Sequence, residues 1–253
     1  MDILYVVGKG FSEWNDNELR YSLRSIAKYG RNVRRVYVVG YCPYWLNPDE
    51  VTLLPLRDEG NNKHVNILRA IEYAIEHSDI SEHFLYSSDD HYYVRETDFD
   101  KYPVYWRGYD IPEIEPQKPT WYQRTMHQTH DVLEAFGLPV RFYAWHGNTH
   151  FNTRLWKQRR MVLLRMLAQM MPDGCDPSCL MLNYWATVEP GTMPEQIVRA
   201  DGKIIQEDAG VTIERKREDK EVLSTTDIVG AGFKTWLQKE FPKYCKYEQK
   251  PRF

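Results

Sequence analysis

Phe84-Leu85-Tyr86-Ser87-Ser88-Asp89-Asp90-His91-Tyr92-Tyr93-Val94 is the stretch on which the reading of this chain turns. It begins as an aromatic, apolar run suited to a buried strand, stops on two adjacent carboxylates, and resumes with aromatics. Adjacent aspartates are poor strand formers. Where an interior strand meets the surface they cost solvation and repel each other, and a divalent cation offsets both. Mg²⁺ or Mn²⁺ takes oxygen ligands and completes its shell with substrate phosphates, so Asp89 and Asp90 read as a metal and diphosphate anchor at a strand's carboxyl end. The competing reading is a turn cap, a common use of Asp.

The order of elements before this stretch favours the anchor. Asp2 to Val7 has the β-branched content and length of a strand, and Gly8-Lys9-Gly10 ends it in a turn where Lys9 can receive a phosphate or a base. Asn15-Asp16-Asn17 offers caps for a helix over Glu18 to Tyr29, with Leu19, Leu23 and Ile26 on one face, Arg20 and Arg24 on another, and Gly30 as its stop. Val33 to Val39 and Val51 to Leu56 read as strands, and Val65 to Ile75 has helical apolar spacing. Strand, helix, strand, strand, helix and strand predict an α/β fold of Rossmann type, with a mainly parallel central sheet flanked by helices.

The second half is more elaborate and more helical. Thr97 to Pro119, rich in Pro, Tyr and Asp, is a long irregular excursion; Trp121 to Phe136 is a helix; Phe142 to Trp145 is a short strand leading to His146-Gly147-Asn148-Thr149-His150. A long helix over Leu155 to Met171, a helix from Pro177 to Trp185, an exposed hairpin over Gly202 to Val222 and a last helix over Phe233 to Phe241 are expected. No repeat is present, and one domain over 1–253 is the economical organisation.

Composition narrows the class. A net charge of −3 over 253 residues indicates neither an acidic tail nor a globally basic nucleic-acid binder. The amino-terminal run is too short and too soon polar for a secretory signal, and no apolar run of about 18 residues exists, so a cytoplasmic soluble protein is the expectation. Cys175 and Cys179 have a three-residue spacer but no second pair, so structural zinc is disfavoured. His146 and His150 raise an HxxxH zinc motif, but Gly147 and Asn148 oppose the helix it needs.

Five patches resemble the Stealth family of capsular-polysaccharide sugar-phosphate transferases and GlcNAc-1-phosphotransferases. They are Asp2 to Gly10, Asn17 to Ile26, Ser81 to Asp90, His146 to Asn152, and Phe241 to Glu248. Lys9 stands where the family usually has an acid or amide, Ser88 where Asn usually precedes the acid pair, and Asn148 where Pro is usual. The resemblance implies a GT-A-like nucleotide-sugar fold, with residues 1–95 on the donor side and 96–253 on the acceptor side. It implies that Asp89 and Asp90 hold Mg²⁺ or Mn²⁺ against the diphosphate of a nucleotide sugar, in particular a UDP-sugar.

The reaction so implied moves a sugar or sugar-1-phosphate to a hydroxyl acceptor, a glycan or phosphorylated polymer. His146 is the best match to the family's histidine and is suited to take the acceptor's proton near neutral pH; His150 competes for that role. Arg20 and Arg154 are candidates to meet phosphates through bidentate hydrogen bonds, and Asn183 to hold sugar or metal. Arg154, Lys157, Arg159, Arg160 and Arg165 form a basic run that is either a solvated helix face or a site for a polyanion. That run permits a glycosyltransferase acting on a hydroxymethylated base in DNA. A nucleotide-sugar or glycan-binding module without chemistry is the non-enzymatic alternative.

Overall fold

A computed structural model describes residues 1–8, 14–106, 120–140, 142, 144, 148–199, 204–206, 221–225 and 229–249. Its centre is a five-stranded sheet of β1 (Asp2–Val7), β3 (Arg35–Gly40), β4 (Val51–Pro55), β5 (His83–Ser87) and β9 (Thr149–Asn152), in the order β4-β3-β1-β5-β9. The first four are mutually parallel; β9 closes one edge antiparallel to β5. From β1 the chain steps outward to β3 and β4, then returns across β1 to β5. The direction therefore reverses between β1 and β5, and the carboxyl ends of those two strands bound the crevice in which open α/β sheets take their ligands.

Side-chain alternation along the strands divides the core into two faces. Leu4, Tyr37, Val39, Phe84 and Tyr86 pack on the side covered by α2 (Lys63–His77), α5 (Arg159–Met170) and α6 (Pro177–Val188). Ile3, Tyr5, Val36, Val38 and Leu85 face α1 (Asn17–Tyr29), whose Leu19, Leu23 and Ile26 form the expected stripe. Truncating one of these buried aliphatics to Ala costs about 2–5 kcal/mol. Gly40 ends β3 at φ 102°, where a Cβ would sit 2.3 Å from the Val7 carbonyl oxygen, so only glycine lets the two strand ends approach there.

Small sheets extend this frame. β2 (Gly30–Arg31) pairs with β7 (Thr97–Asp98), β8 (Val104–Trp106) with β10 (Ile197–Arg199), and β6 (His91–Tyr93) antiparallel with β12 (Val222–Ser224). The excursion after Thr97 thus carries regular pieces as far as Trp106, and residues 107–119 lie outside the described ones. The expected hairpin over Gly202 to Val222 is corrected: β11 (Ile204–Gln206) runs parallel to β12, a pairing that needs a crossover rather than a turn, and β12 finds its antiparallel partner in β6. α3 (Trp121–Ala135) and α7 (Ala231–Glu240) match their predicted helices closely.

Two further expectations are corrected. The single helix over Leu155 to Met171 is broken into α4 (Thr153–Trp156) and α5, because Gln158 takes an extended backbone and its side chain accepts from the Tyr184 hydroxyl at 2.6 Å. Asp16 at the start of α1 is left-handed, as is Asn15 before it, and its side chain does not cap the first turn. Two consecutive left-handed non-glycine residues store strain beside the carboxyl end of β1.

Candidate active site

Strand β5 ends at Ser87, and the acid pair follows in a turn between β5 and β6. The register of β1 against β5, Tyr5 opposite Ser87, sets Asp89 and Asp90 just beyond the switch point. Both are half-buried. Among the described residues no lysine or arginine forms an ion pair with either, and the near ionisable contact is His91 Nδ1, 3.2 Å from Asp90 Oδ1. Burial, and then the charge of Asp90, push Asp89 up to about 7. Burial works on Asp90 in the same sense, but His91, the field of Lys63 and a backbone hydrogen bond together hold Asp90 below the usual carboxylate range. The fields of Lys63 and Glu18 also reach Asp89.

Lys63 and Glu18 were not singled out from the sequence. Each lies in the first turn of a helix, Lys63 following β4 and Glu18 following β1, so both helix starts converge on the carboxyl edge of the sheet. That position was the available signal.

A polar network secures the acid turn from below. Ser22 Oγ donates to the His91 carbonyl at 2.6 Å, which leaves Tyr5 to donate its hydroxyl proton to Ser22 at 2.8 Å. Ser25 Oγ accepts from the Tyr93 amide at 2.9 Å and donates to the Ser22 carbonyl. The serines of Tyr21-Ser22-Leu23-Arg24-Ser25 therefore hold the strand that leaves the acid pair. On the other side, Ser87 Oγ donates to Asn148 Oδ1 at 2.6 Å. Asn148 is buried at φ 51°, a backbone that proline, usual at this place in the family, cannot adopt. Beside it the buried hydroxyls of Tyr93 and Tyr102 interact with each other, and that of Tyr102 with Asn148.

The other predicted site residues are distributed as follows. Lys9 and His146 lie outside the described residues; Asn148, two residues after His146, sits against the end of β5. His150 is on β9 with both ring nitrogens engaged. Its Nε2 lies 2.8 Å from the Tyr102 carbonyl, which can only accept, so Nε2 carries the proton and Nδ1 accepts from His83 Nε2 at 3.0 Å. Burial, with the neighbouring His83, pushes His150 down to about 3, and a buried imidazole so placed does not offer a base to substrate.

Three expected ligands are engaged elsewhere. Arg20 stacks over Trp45 at 4.6 Å and pairs with Glu248 at 3.4 Å. Glu248 is also gripped by Arg24, Nε to Oε1 at 2.6 Å and Nη2 to Oε2 at 2.8 Å, which ties the second resemblance patch to the last. Arg154 sits at the opposite end of β9 from Asn148, in ion pairs with Glu189 at 2.5 Å and Glu82 at 3.2 Å. Asn183 is fully buried and clamps the backbone of Phe142, accepting from its N–H at 2.9 Å and donating to its carbonyl at 2.8 Å. Two of the five cations of the basic run are neutralised, Arg154 as above and Arg165, which is buried against Glu72 at 2.8 Å and over the Trp156 ring at 4.4 Å, while Lys157, Arg159 and Arg160 are exposed. Cys175 and Cys179 are buried and form no disulfide, and burial pushes the Cys175 thiol up to about 12.

The donor set at the acid pair fits a hard divalent cation: two neighbouring carboxylates, partly open to solvent and paired with no lysine or arginine among the described residues. No group of three His, Cys, Asp or Glu able to hold a metal occurs among the described residues, so water and phosphate oxygens would supply the remaining ligands.

With this geometry in hand, likenesses to known proteins are informative. A galactosyltransferase, LgtC, solved with donor and acceptor sugar analogues, superposes with a TM-score of 0.51 at 11% identity, covering 97% of this chain and 98% of that one. An active-site mutant of LgtC gives the same TM-score at 12% identity. The fold is thus that of the GT-A-like glycosyltransferases. Residues 12–108 match the family profile of Stealth protein CR2, conserved region 2, so the resemblance read from the sequence holds across the segment that contains α1 and the acid pair. The exopolysaccharide phosphotransferase SCO2594 of Streptomyces coelicolor (strain ATCC BAA-471 / A3(2) / M145) is 40% identical over 89 residues, 32% of this chain. The match spans 15% of that relative's length. No helix among the described residues is long and apolar enough to cross a membrane.

Proposed function

We propose that the chain is a metal-dependent transferase that moves sugar-1-phosphate from a nucleotide sugar, in the first instance a UDP-sugar, to a hydroxyl of a glycan acceptor. The observation that carries this reading is the acid pair, un-neutralised by any lysine or arginine among the described residues, at the switch point between β1 and β5. Phosphoryl-sugar transfer is preferred over sugar transfer because the relative called a phosphotransferase matches at 40% identity, whereas the likeness to LgtC at 11% speaks for fold alone.

Asp89 and Asp90 would hold Mg²⁺ or Mn²⁺, which supplies charge stabilisation for the diphosphate as the leaving phosphate departs. Lys63 stands close enough for its field to reach both carboxyls and is suited to a phosphate oxygen of the donor. Lys9, at the end of β1, is proposed to join it. His146 is proposed to take the proton of the acceptor hydroxyl, and the Ser87–Asn148 bond to steady the turn that bears the acids. Residues 1–95 form the donor side in this reading and 96–253 the acceptor side. Arg20, Arg154 and Asn183 are given no ligand role, since each already has protein partners. The modified-DNA acceptor is not taken up, since two of the five cations that suggested it, Arg154 and Arg165, are held by Glu189 and Glu72.

The test is product identity. With a UDP-sugar, Mn²⁺ and glycan acceptors, sugar-1-phosphate transfer releases UMP and sugar transfer releases UDP. UMP that appears only with acceptor and is abolished in Asp90→Asn supports the proposal. UDP as product moves the reading to a glycosyltransferase, and donor binding without any product leaves a binding module.

A further inference from the structure

Helix α1 runs from the carboxyl end of β1 back toward the amino edge of the sheet, so Lys28 in its last turn lies far from the acid pair. There α1 and the segment following α7 enclose a groove of about 670 Å³, within the range of ligand-sized pockets. Its lining carries five cations, Arg24, Lys28, Lys239, Lys243 and Lys246, against one acid, Glu240. In a chain of net charge −3 this is a local reversal of sign.

The five cations are not equivalent. Arg24 is buried and saturated by Glu248 and the Phe241 carbonyl. Lys28 pairs with Glu240 at 2.8 Å, and Lys246 stands 3.7 Å from Glu50. Lys239 and Lys243 are exposed and have no ion pair among the described residues. Beside them Tyr244 is 52% exposed, its ring 5.1 Å from the Arg24 guanidinium, and Phe241 is buried under the Lys28 ammonium. The groove thus combines open ammonium groups, a polar-edged ring and an apolar floor.

We propose that this groove binds an anionic glycan chain through its phosphodiester groups, as a contact for a polymeric acceptor remote from the acid pair. Phosphate is chosen over carboxylate because it is the group that the transfer reading leaves in the polymer, and the open cations are lysines, compact charges able to meet it from several directions. Glycan is favoured over nucleic acid because the cluster is short and confined, with one exposed ring rather than a succession of stacking platforms along a basic track. The polymer's identity rests on the transfer reading above, since a phosphodiester is the linkage that sugar-1-phosphate transfer leaves behind.

The experiment measures binding of a glycosylated poly(glycerol phosphate) oligomer, hyaluronate, polyuridylate and neutral dextran to the full chain and to Lys239→Glu/Lys243→Glu. The phosphodiester glycan is expected to bind best, and the double variant to weaken it by about tenfold, with dextran silent. Turnover of a short uncharged acceptor is expected to be unaffected. Equal affinity for hyaluronate or polyuridylate, no binding of the phosphodiester glycan, or indifference to the double variant each overturns the proposal. The same titration on Asp90→Asn is expected to match the unsubstituted chain, so that a failure of the transferase reading and a failure of the groove are told apart.

Discussion

Two charged regions of this molecule, each within a patch quoted for the family resemblance, have opposite fates. Along the seam between α1 and the terminal segment, Arg20 and Arg24 converge on Glu248, and Arg24 uses three nitrogen donors, two on that carboxylate and one on a backbone carbonyl. At the carboxyl edge of the sheet, Asp89 and Asp90 stand side by side with the His91 imidazole beside Asp90. The seam is closed on itself and the edge is not. Charge satisfied inside the protein holds the fold together, whereas charge left unsatisfied at a switch point is available to a ligand.

Removing Glu248 should break the seam with the largest effect on stability. Glu248→Ala leaves Arg24 buried without its partner, at a cost of about 3–5 kcal/mol, read as a lowered midpoint in chemical denaturation. Activity per folded molecule should survive. If turnover instead vanished while the midpoint held, the seam would be part of the site and the contrast would fail.

The edge should respond in the opposite way. Asp89→Asn removes a carboxyl that burial and Asp90 both disfavour as an anion, so the thermal midpoint should rise. Turnover should fall by about 10²–10³, the scale for losing one preorganised electrostatic contact to a reacting group. Thermal denaturation and UMP release on the same preparation read both signs. A falling midpoint with intact turnover would make the acid pair a structural turn.

How far these regions could be read from sequence follows from the range of the interactions involved. The alternation of β1, α1, β3, β4, α2 and β5 was legible because local periodicity sets it, and the acid pair was legible because its chemistry conflicts with its strand. The fate of Arg20 was not, since Glu248 is more than two hundred residues away and an arginine looks alike facing phosphate or carboxylate. Strand β9 was also missed: Thr149-His150-Phe151-Asn152 is buried on both faces, so it shows no alternation, and its ordering comes from pairing with β5. Asn183 was misread because a backbone clamp and a ligand amide share one residue type.

Between the two extremes lies the buried Ser87–Asn148 bond. Ser87→Ala should cost about 1–3 kcal/mol by stripping a buried acceptor of its donor. If the bond positions the acid turn, kcat should fall more than KM rises; a loss confined to stability would assign it to the seam type.

The smallest effect expected near neutral pH belongs to His150, a titratable group that the fold keeps uncharged. Tyr102 fixes the proton on Nε2, His83 occupies Nδ1 and is itself pushed down in pKa by burial, and no acid is paired with either ring among the described residues. With its folded value near 3 against about 6.5 for a free histidine, the unfolded chain binds the proton first as the pH falls. Neutral His150 therefore contributes its full stability above pH 6.5 and loses it below, by about 1 kcal/mol over the first unit. His150→Gln, which can keep a donor to the Tyr102 carbonyl, should flatten this slope in denaturation midpoints taken from pH 7 to 5 while leaving the neutral-pH midpoint little changed. An unaltered slope would mean that the proton taken up first by the unfolded chain belongs to another depressed group, with His83 the first place to look, and His150 would not be the titrating member of the closed interior.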